Sequence, residues 1–129
     1  MNERYTVAVQ RDFVARHFLI GGDWGPENTL HSHHYRLELE LVGSTLDQHN
    51  YLLDIVAIDV AMDAFVERYR DSTLNDMPSF EGENPSIELF CRVAWRELSA
   101  GLDPSRVESA TVTIWENDIA RASYSRALG

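Results

Sequence analysis

Residues 31 to 43, HSHHYRLELELVG, sort by parity: Leu37, Leu39 and Leu41 fall on one set of positions, Arg36, Glu38 and Glu40 on the other. Side chains on an extended strand point alternately to opposite faces, so this pattern predicts a strand with one buried and one solvated face. Residues 5 to 18, YTVAVQRDFVARHF, alternate in stretches and carry β-branched and aromatic types, which predicts a strand before it. Between them GGDWGPEN (21 to 28) is punctuated by Gly and Pro and reads as a loop, and a turn follows around GSTLDQHN (43 to 50). The period then changes. Ile58, Met62, Phe65 and Tyr69 recur at helical spacing behind Asp54, a natural N-cap, and their stripe should face a sheet. STLNDMPSFEGENP (72 to 85) is a run of turn formers. Asn84 then suits an N-cap with Pro85 at the first helical position, opening a second helix that runs to about Ser99 and stops at GLDPS. RVESATVTIWEND (106 to 118) and IARASYSRA (119 to 127) read as a closing pair of strands. The order ββααββ is that of an α+β protein: a four-stranded antiparallel sheet with two helices on one face.

The length, 129 residues, suits one domain over the whole chain, 1–129, with a single core. No apolar run approaches the roughly 20 residues that span a bilayer. The first residues, MNERYTVAVQRDF, lack the apolar segment of a secretion signal. A formal net charge of −10 with no basic stripe argues against a nucleic-acid partner. All 11 basic residues are Arg, which excludes lysine Schiff-base chemistry. A single cysteine, Cys91, rules out an internal disulfide framework and points to a cytoplasmic setting. Its spacing from Ile87 and Ala94 places it on the apolar helix face, as a packing residue rather than a nucleophile.

Three of the five histidines crowd into residues 31 to 34. Strand parity puts His31 and His33 on the face of Tyr35 and the leucines, and His34 on the solvated face with Arg36. On the first strand Phe13, Ala15 and His17 share a face. If the two strands pair, His17 can supply a third nitrogen, and three neutral imidazoles suit Zn²⁺ with a fourth position for water or substrate. An H-x-H alone also occurs at loop–strand junctions that bind nothing. His34 reads as a surface histidine, and His49 as solvated in its turn.

The ordered motifs FVARH, HSH, LLDI, TLND, NPSIE and WEN resemble those of the 6-pyruvoyltetrahydropterin synthase family, which includes the 6-carboxytetrahydropterin synthases. The resemblance runs from Phe13 to Tyr124. It implies a tunnelling-fold (T-fold) subunit, trimers stacked into hexamers with pterin sites between subunits, and a catalytic zinc held by His17, His31 and His33. It also implies that Glu116 holds the pterin ring, since one carboxylate can accept both the N3–H and the 2-amino group. Ser86 and Glu88 match the family's N-P-T-x-E, with Ser in place of Thr. They open the second helix, where Ser86 can meet polar ring edges and Glu88 either does the same or complements the helix dipole. Asp54 matches a helix-opening Asp and is structural.

The resemblance breaks at the proton-transfer groups. The family's usual reaction uses a cysteine before the H-x-H and an Asp-His pair before LND. Here the loop has no cysteine, and the pair aligns with Arg70-Asp71, or with Asp71-Ser72 after a one-residue slip. Glu27, four residues before His31, stands where some members carry the cysteine. Some members use Glu there and act on dihydroneopterin. Glu27 is therefore either a general base or an exposed loop acid, and Asp71 either a second acid/base or a solvated helix-end residue. Trp24 either stacks on a ring or packs its own loop. The expectation is a zinc-dependent lyase acting on the side chain of 7,8-dihydroneopterin or its triphosphate. The alternatives are a pterin- or purine-binding homologue without that reaction, and a metal-assisted enzyme on another purine-like substrate.

Overall fold

Why the chain folds as it does is clearest at its two long strands. The computed structural model describes residues 3–128. Strand β1 is Tyr5–His17 and β2 is His31–Gly43. They pair antiparallel over their whole length, from Tyr5 opposite Gly43 to His17 opposite His31. Strand β3 (Ser109–Trp115) pairs with β2, and β4 (Arg121–Ala127) pairs with β3, giving the sheet order β1-β2-β3-β4. The closing strands are shorter than their sequence runs suggested, because the chain from 116 to 120 turns instead. Asn117 Oδ1 accepts from the backbone N–H of Ile119 and Ala120, and that turn ends the pairing. Since β3 stops at Trp115, opposite Arg36, residues 31–35 of β2 pair only with β1. The histidine end of β2 thus overhangs the sheet.

Helix α1 (Ile55–Tyr69) starts where Asp54 accepts from Val56 N at 2.9 Å, and it buries Ile58, Met62, Phe65 and Tyr69 as the spacing predicted. Arg11 crosses from β1 to α1 and pairs with Asp59 and Asp63 at 2.9 and 2.8 Å. Helix α2 is Ile87–Ser99, and its N-cap is Ser86, not Asn84. The Asn84 side chain accepts from Ile20 N, fastening the chain beyond β1, so the capping bond falls to Ser86, which accepts from Leu89 N. The turn-forming segment between the helices holds two short 3₁₀ turns, Leu74–Asp76 and Pro78–Phe80, and the loop before β2 holds another, Gly25–Asn28.

Both helices lie on the leucine face. Leu37, Leu39 and Leu41 are buried with Val112, Ile114 and the α1 stripe in one core. An aromatic cluster of Phe13, Tyr35, Phe65, Tyr69 and Phe90 closes it toward the histidines. Cys91 is buried there, and burial pushes its thiol up to about 12, which removes it as a nucleophile at neutral pH. Gly43 ends β2 against the Arg106 carbonyl, where any Cβ would collide. The opposite face of the sheet is polar. Among the described residues no helix is long and apolar enough to cross a membrane.

Candidate metal centre and ring-binding cavity

The β1–β2 register brings the histidines together. His17 stands opposite His31, and Ala15, the smallest side chain available, stands opposite His33 and leaves it room. The ring centroids form a nearly equilateral triangle: 4.6 Å from His17 to His31, 5.0 Å from His17 to His33, and 4.8 Å from His31 to His33. Two rings are oriented by backbone carbonyls. His17 Nδ1 lies 2.8 Å from Pro85 O, and His31 Nδ1 lies 2.7 Å from Thr29 O. A carbonyl only accepts, so each Nδ1 carries the proton and each Nε2 presents its lone pair. The Nε2 atoms of His17, His31 and His33 are all buried without a hydrogen-bond partner. One ligand atom from each ring lies within 4.8 Å of those of the other two.

That arrangement fits a cation. A buried, unsatisfied polar atom costs about 1–3 kcal/mol, and here three converge. One borderline-soft divalent ion would satisfy all of them, and three imidazole nitrogens with an open fourth position is a donor set zinc favours. Burial, foremost, lowers the His17 pKa, with the other two rings acting in the same direction, so His17 is held neutral, as ligation requires.

Carboxylates gather at the rim. Glu116 is the first residue past β3, and its backbone N–H donates to Ala120 O. Its Oε1 stands 3.2 Å from His33 Nε2, a contact without hydrogen-bond alignment. Glu27, on the 3₁₀ turn, joins His33 and Glu116 in a second group whose ligand atoms lie within 4.8 Å of one another. Its loop is stitched by Asn28, which accepts from Trp24 N at 2.7 Å and donates to the carbonyls of Leu19 and Gly22 at 3.0 Å each. Glu27 O in turn accepts from Leu19 N at 2.9 Å. The Trp24 indole lies over Gly22, where any Cβ would meet the ring at 2.7 Å, so the indole packs on its own loop while it borders the cavity.

That cavity, about 270 Å³, is lined by His17, Trp24, Glu27, Ser86, Glu88 and Glu116 among others. A second one, about 450 Å³, is lined by His33, His34, Arg36 and Trp115 among others, beneath the β2 overhang, and shares Glu116 with the first. Glu116 therefore borders both openings and meets the triad at His33. Ser86 spends its oxygen capping α2, and Glu88 is exposed in the first turn of that helix.

Asp71 belongs to neither group. It follows the α1 C-cap in a left-handed conformation, φ 59°, and its backbone is what it uses: its N–H donates to Val14 O, and its carbonyl accepts from Arg16. His34 is exposed on the outer face, and His49 is exposed in its turn, as parity and composition predicted. Sequence reasoning missed Tyr35. Its hydroxyl is buried without a partner, its ring centroid lies 5.6 Å from that of His33, and burial pushes its pKa up. The signal was present, since Tyr35 continues the parity of His31 and His33, but a tyrosine beside leucines reads as core.

Known proteins bear on this geometry. A structure of Caenorhabditis elegans 6-pyruvoyl tetrahydropterin synthase matches with a TM-score of 0.85 at 20% identity, covering 97% of each chain. One of Plasmodium vivax 6-pyruvoyltetrahydropterin synthase, a mutant with alanine at a catalytic glutamate, matches with a TM-score of 0.81 at 15% identity, covering 98% of this chain and 100% of that one. A dihydroneopterin aldolase from Burkholderia thailendensis bound to guanine matches more loosely, with a TM-score of 0.55 at 11% identity, covering 98% and 92%. At such identities the likeness speaks for the fold, which is the tunnelling fold. A search of curated proteins returns no match. The family model for 6-pyruvoyl tetrahydropterin synthase, however, matches residues 6–127, nearly the whole of the chain, and the chain belongs to that family.

Proposed function

We propose that the protein is a zinc-dependent lyase that acts on the three-carbon side chain of a reduced pterin, with Glu27 as the general base. The observation that carries the reading is the convergence of three orphaned imidazole nitrogens with the Glu27 and Glu116 carboxylates at one of them. His17, His31 and His33 would hold the metal, which when bound supplies Lewis-acid polarisation of a substrate oxygen. Glu116 would accept the paired N–H donors of the ring, and Ser86 and Glu88 would border it. Such a carboxylate selects strongly, because a ligand without those donors leaves it unpaired. Glu27 would take the proton from a side-chain hydroxyl, which needs no more than the reach its stitched loop already provides. The catalytic glutamate named for the Plasmodium vivax protein supports a carboxylate in this role. Asp71 enters this reading only through a neighbouring subunit, since its own chain holds it apart from the triad.

Assembly into trimers and hexamers, with the ring site between subunits, belongs to the same proposal. The outer edges of β1 and β4 end the sheet and are available for pairing. Light scattering at micromolar concentration should report a mass well above one chain; a monomer would contradict this.

The functional test is incubation of zinc-loaded protein with 7,8-dihydroneopterin and with its triphosphate, products read by chromatography. Conversion of either supports the lyase. Tight binding lost in Glu116→Ala, without conversion, would replace it with a pterin-binding homologue.

A further inference from the structure

Tyr35 sits where the leucine run of β2 gives way to the histidines. Its ring is packed as a core residue, with the Phe13 and Phe90 centroids 5.6 and 5.4 Å away. A phenylalanine would fill the same space. The hydroxyl is a different matter. It is buried and has no hydrogen-bond partner, so it costs stability that the ring alone would not.

Few acceptors surround it. The phenylalanines offer none. His33 and His17 lie on its triad side, with centroids at 5.6 and 6.4 Å, but their Nε2 lone pairs are the ones a cation would take. Two carboxylates remain. Burial, then the charge of Glu116, then that of Glu27, raise the pKa of the phenol, so both carboxylates are felt at the hydroxyl. Strand register explains why Glu116 comes first. Trp115 pairs with Arg36, so Glu116, one residue further, comes level with Tyr35 just beyond the last rung. Its contact with His33 places it on the same face. Tyr35 is 0% exposed within its own chain, so a group from a neighbouring subunit cannot reach the hydroxyl without repacking the core.

Glu116 Oε1 stands 3.2 Å from His33 Nε2, the atom the cation needs. Once that nitrogen is engaged, the carboxylate either joins the cation as a further ligand or turns to a donor. Among the described residues, the Tyr35 hydroxyl is the buried side-chain donor left without a partner.

We infer that Tyr35 is a positioning residue: its hydroxyl donates to the Glu116 carboxylate when the triad is loaded, keeping that carboxylate off the cation and turned to the ring. The inference rests on the reading of Glu116 as the ring anchor and deepens it. A phenol and a carboxylate make a charge-assisted bond, roughly twice as strong as a neutral one. There is room for it, because each carboxylate oxygen has two lone pairs and the two ring donors use one on each.

Tyr35→Phe tests this in three ways. Loaded with cobalt(II) in place of zinc, and with no ligand added, the wild type should show the strong visible absorption of a four-coordinate ion. Tyr35→Phe should show the weaker absorption of a higher coordination number, as Glu116 joins the metal, and Tyr35→Phe/Glu116→Ala should restore the wild-type spectrum. Calorimetric titration of the zinc-loaded proteins with 7,8-dihydroneopterin should give a Kd about tenfold weaker in Tyr35→Phe at unchanged zinc content. Metal-free Tyr35→Phe should melt at or above the wild type, because the unpaired hydroxyl is gone while the ring stays. A lower melting temperature would make the hydroxyl a prop of the fold and overturn the inference. Identical cobalt spectra in wild type and Tyr35→Phe overturn it too, as does a Kd equal to that of the wild type. If the wild type itself does not bind the pterin, the pterin reading fails, and the cobalt spectra alone decide whether Tyr35 holds Glu116.

Discussion

The helix-facing side of β2 holds two unlike regions on a single parity. From Leu37 to Leu41 every inward side chain is apolar, buried and matched across the strands by Val9, Val112 and Ile114. From His31 to His33 the same parity carries imidazoles whose Nε2 atoms are buried with nothing to bond. Backbone geometry cannot distinguish them, since both lie on one regular strand. What differs is the sign of burial. Removing a leucine side chain from water stabilises by about 1.5–3 kcal/mol, whereas burying an unpaired polar nitrogen costs about 1–3 kcal/mol. The leucine region holds the fold, and the histidine region is held by it. A cluster maintained against stability is the mark of a site.

Four experiments can break or sharpen that contrast. Glu27→Gln should lower kcat by roughly 10²–10⁴-fold, the usual range for a positioned acid or base, while zinc content by atomic absorption stays at the wild-type level. A variant that loses zinc with its activity would make Glu27 part of the metal site instead. Next, Leu39→Ala should destabilise by about 2–5 kcal/mol in urea unfolding, since Leu39 is 1% exposed, yet the folded fraction should still bind zinc. Loss of metal from protein that is still folded would mean the two regions are not separable. Third, a chelator should lower the melting temperature of the wild type by the equivalent of about 2.7 kcal/mol if zinc had been present at a hundredfold excess over its dissociation constant. In His33→Ala the chelator should change nothing, because the cation has no complete site to leave.

The smallest effect concerns pH. His17 has its folded pKa lowered below the ordinary imidazole value of 6.5, mainly by burial. Below that value the unfolded chain binds the proton more readily than the folded one, so stability of chelated protein should be full above about pH 6.5 and decline as pH falls. Chemical denaturation at a series of pH values measures it. His17→Gln should flatten the decline, and a curve unchanged by that substitution would assign it to other groups.

Much of this is legible in the sequence. The α1 stripe from Ile58 to Tyr69, the Asp54 cap and both long strands follow from periodicity, because burial of one face imposes its period on the residues. The N-cap of α2 did not follow: Asn84 and Ser86 both qualify locally, and only the Asn84 bond to Ile20, far away in the chain, decides between them. Trp24 differs: its indole lies on Gly22, only two residues away, and it is the course of the loop past the cavity that lets it border the site as well.

The site divides along this line too. Strand parity alone determined that His31 and His33 look inward and His34 outward, since an extended backbone leaves no other choice. That His17 lies opposite His31, that Glu27 and Glu116 meet at His33, and that Asp71 stays apart are matters of register and loop course. Those depend on contacts between residues distant in sequence, which short-range patterns do not encode, so only the tertiary structure decided them.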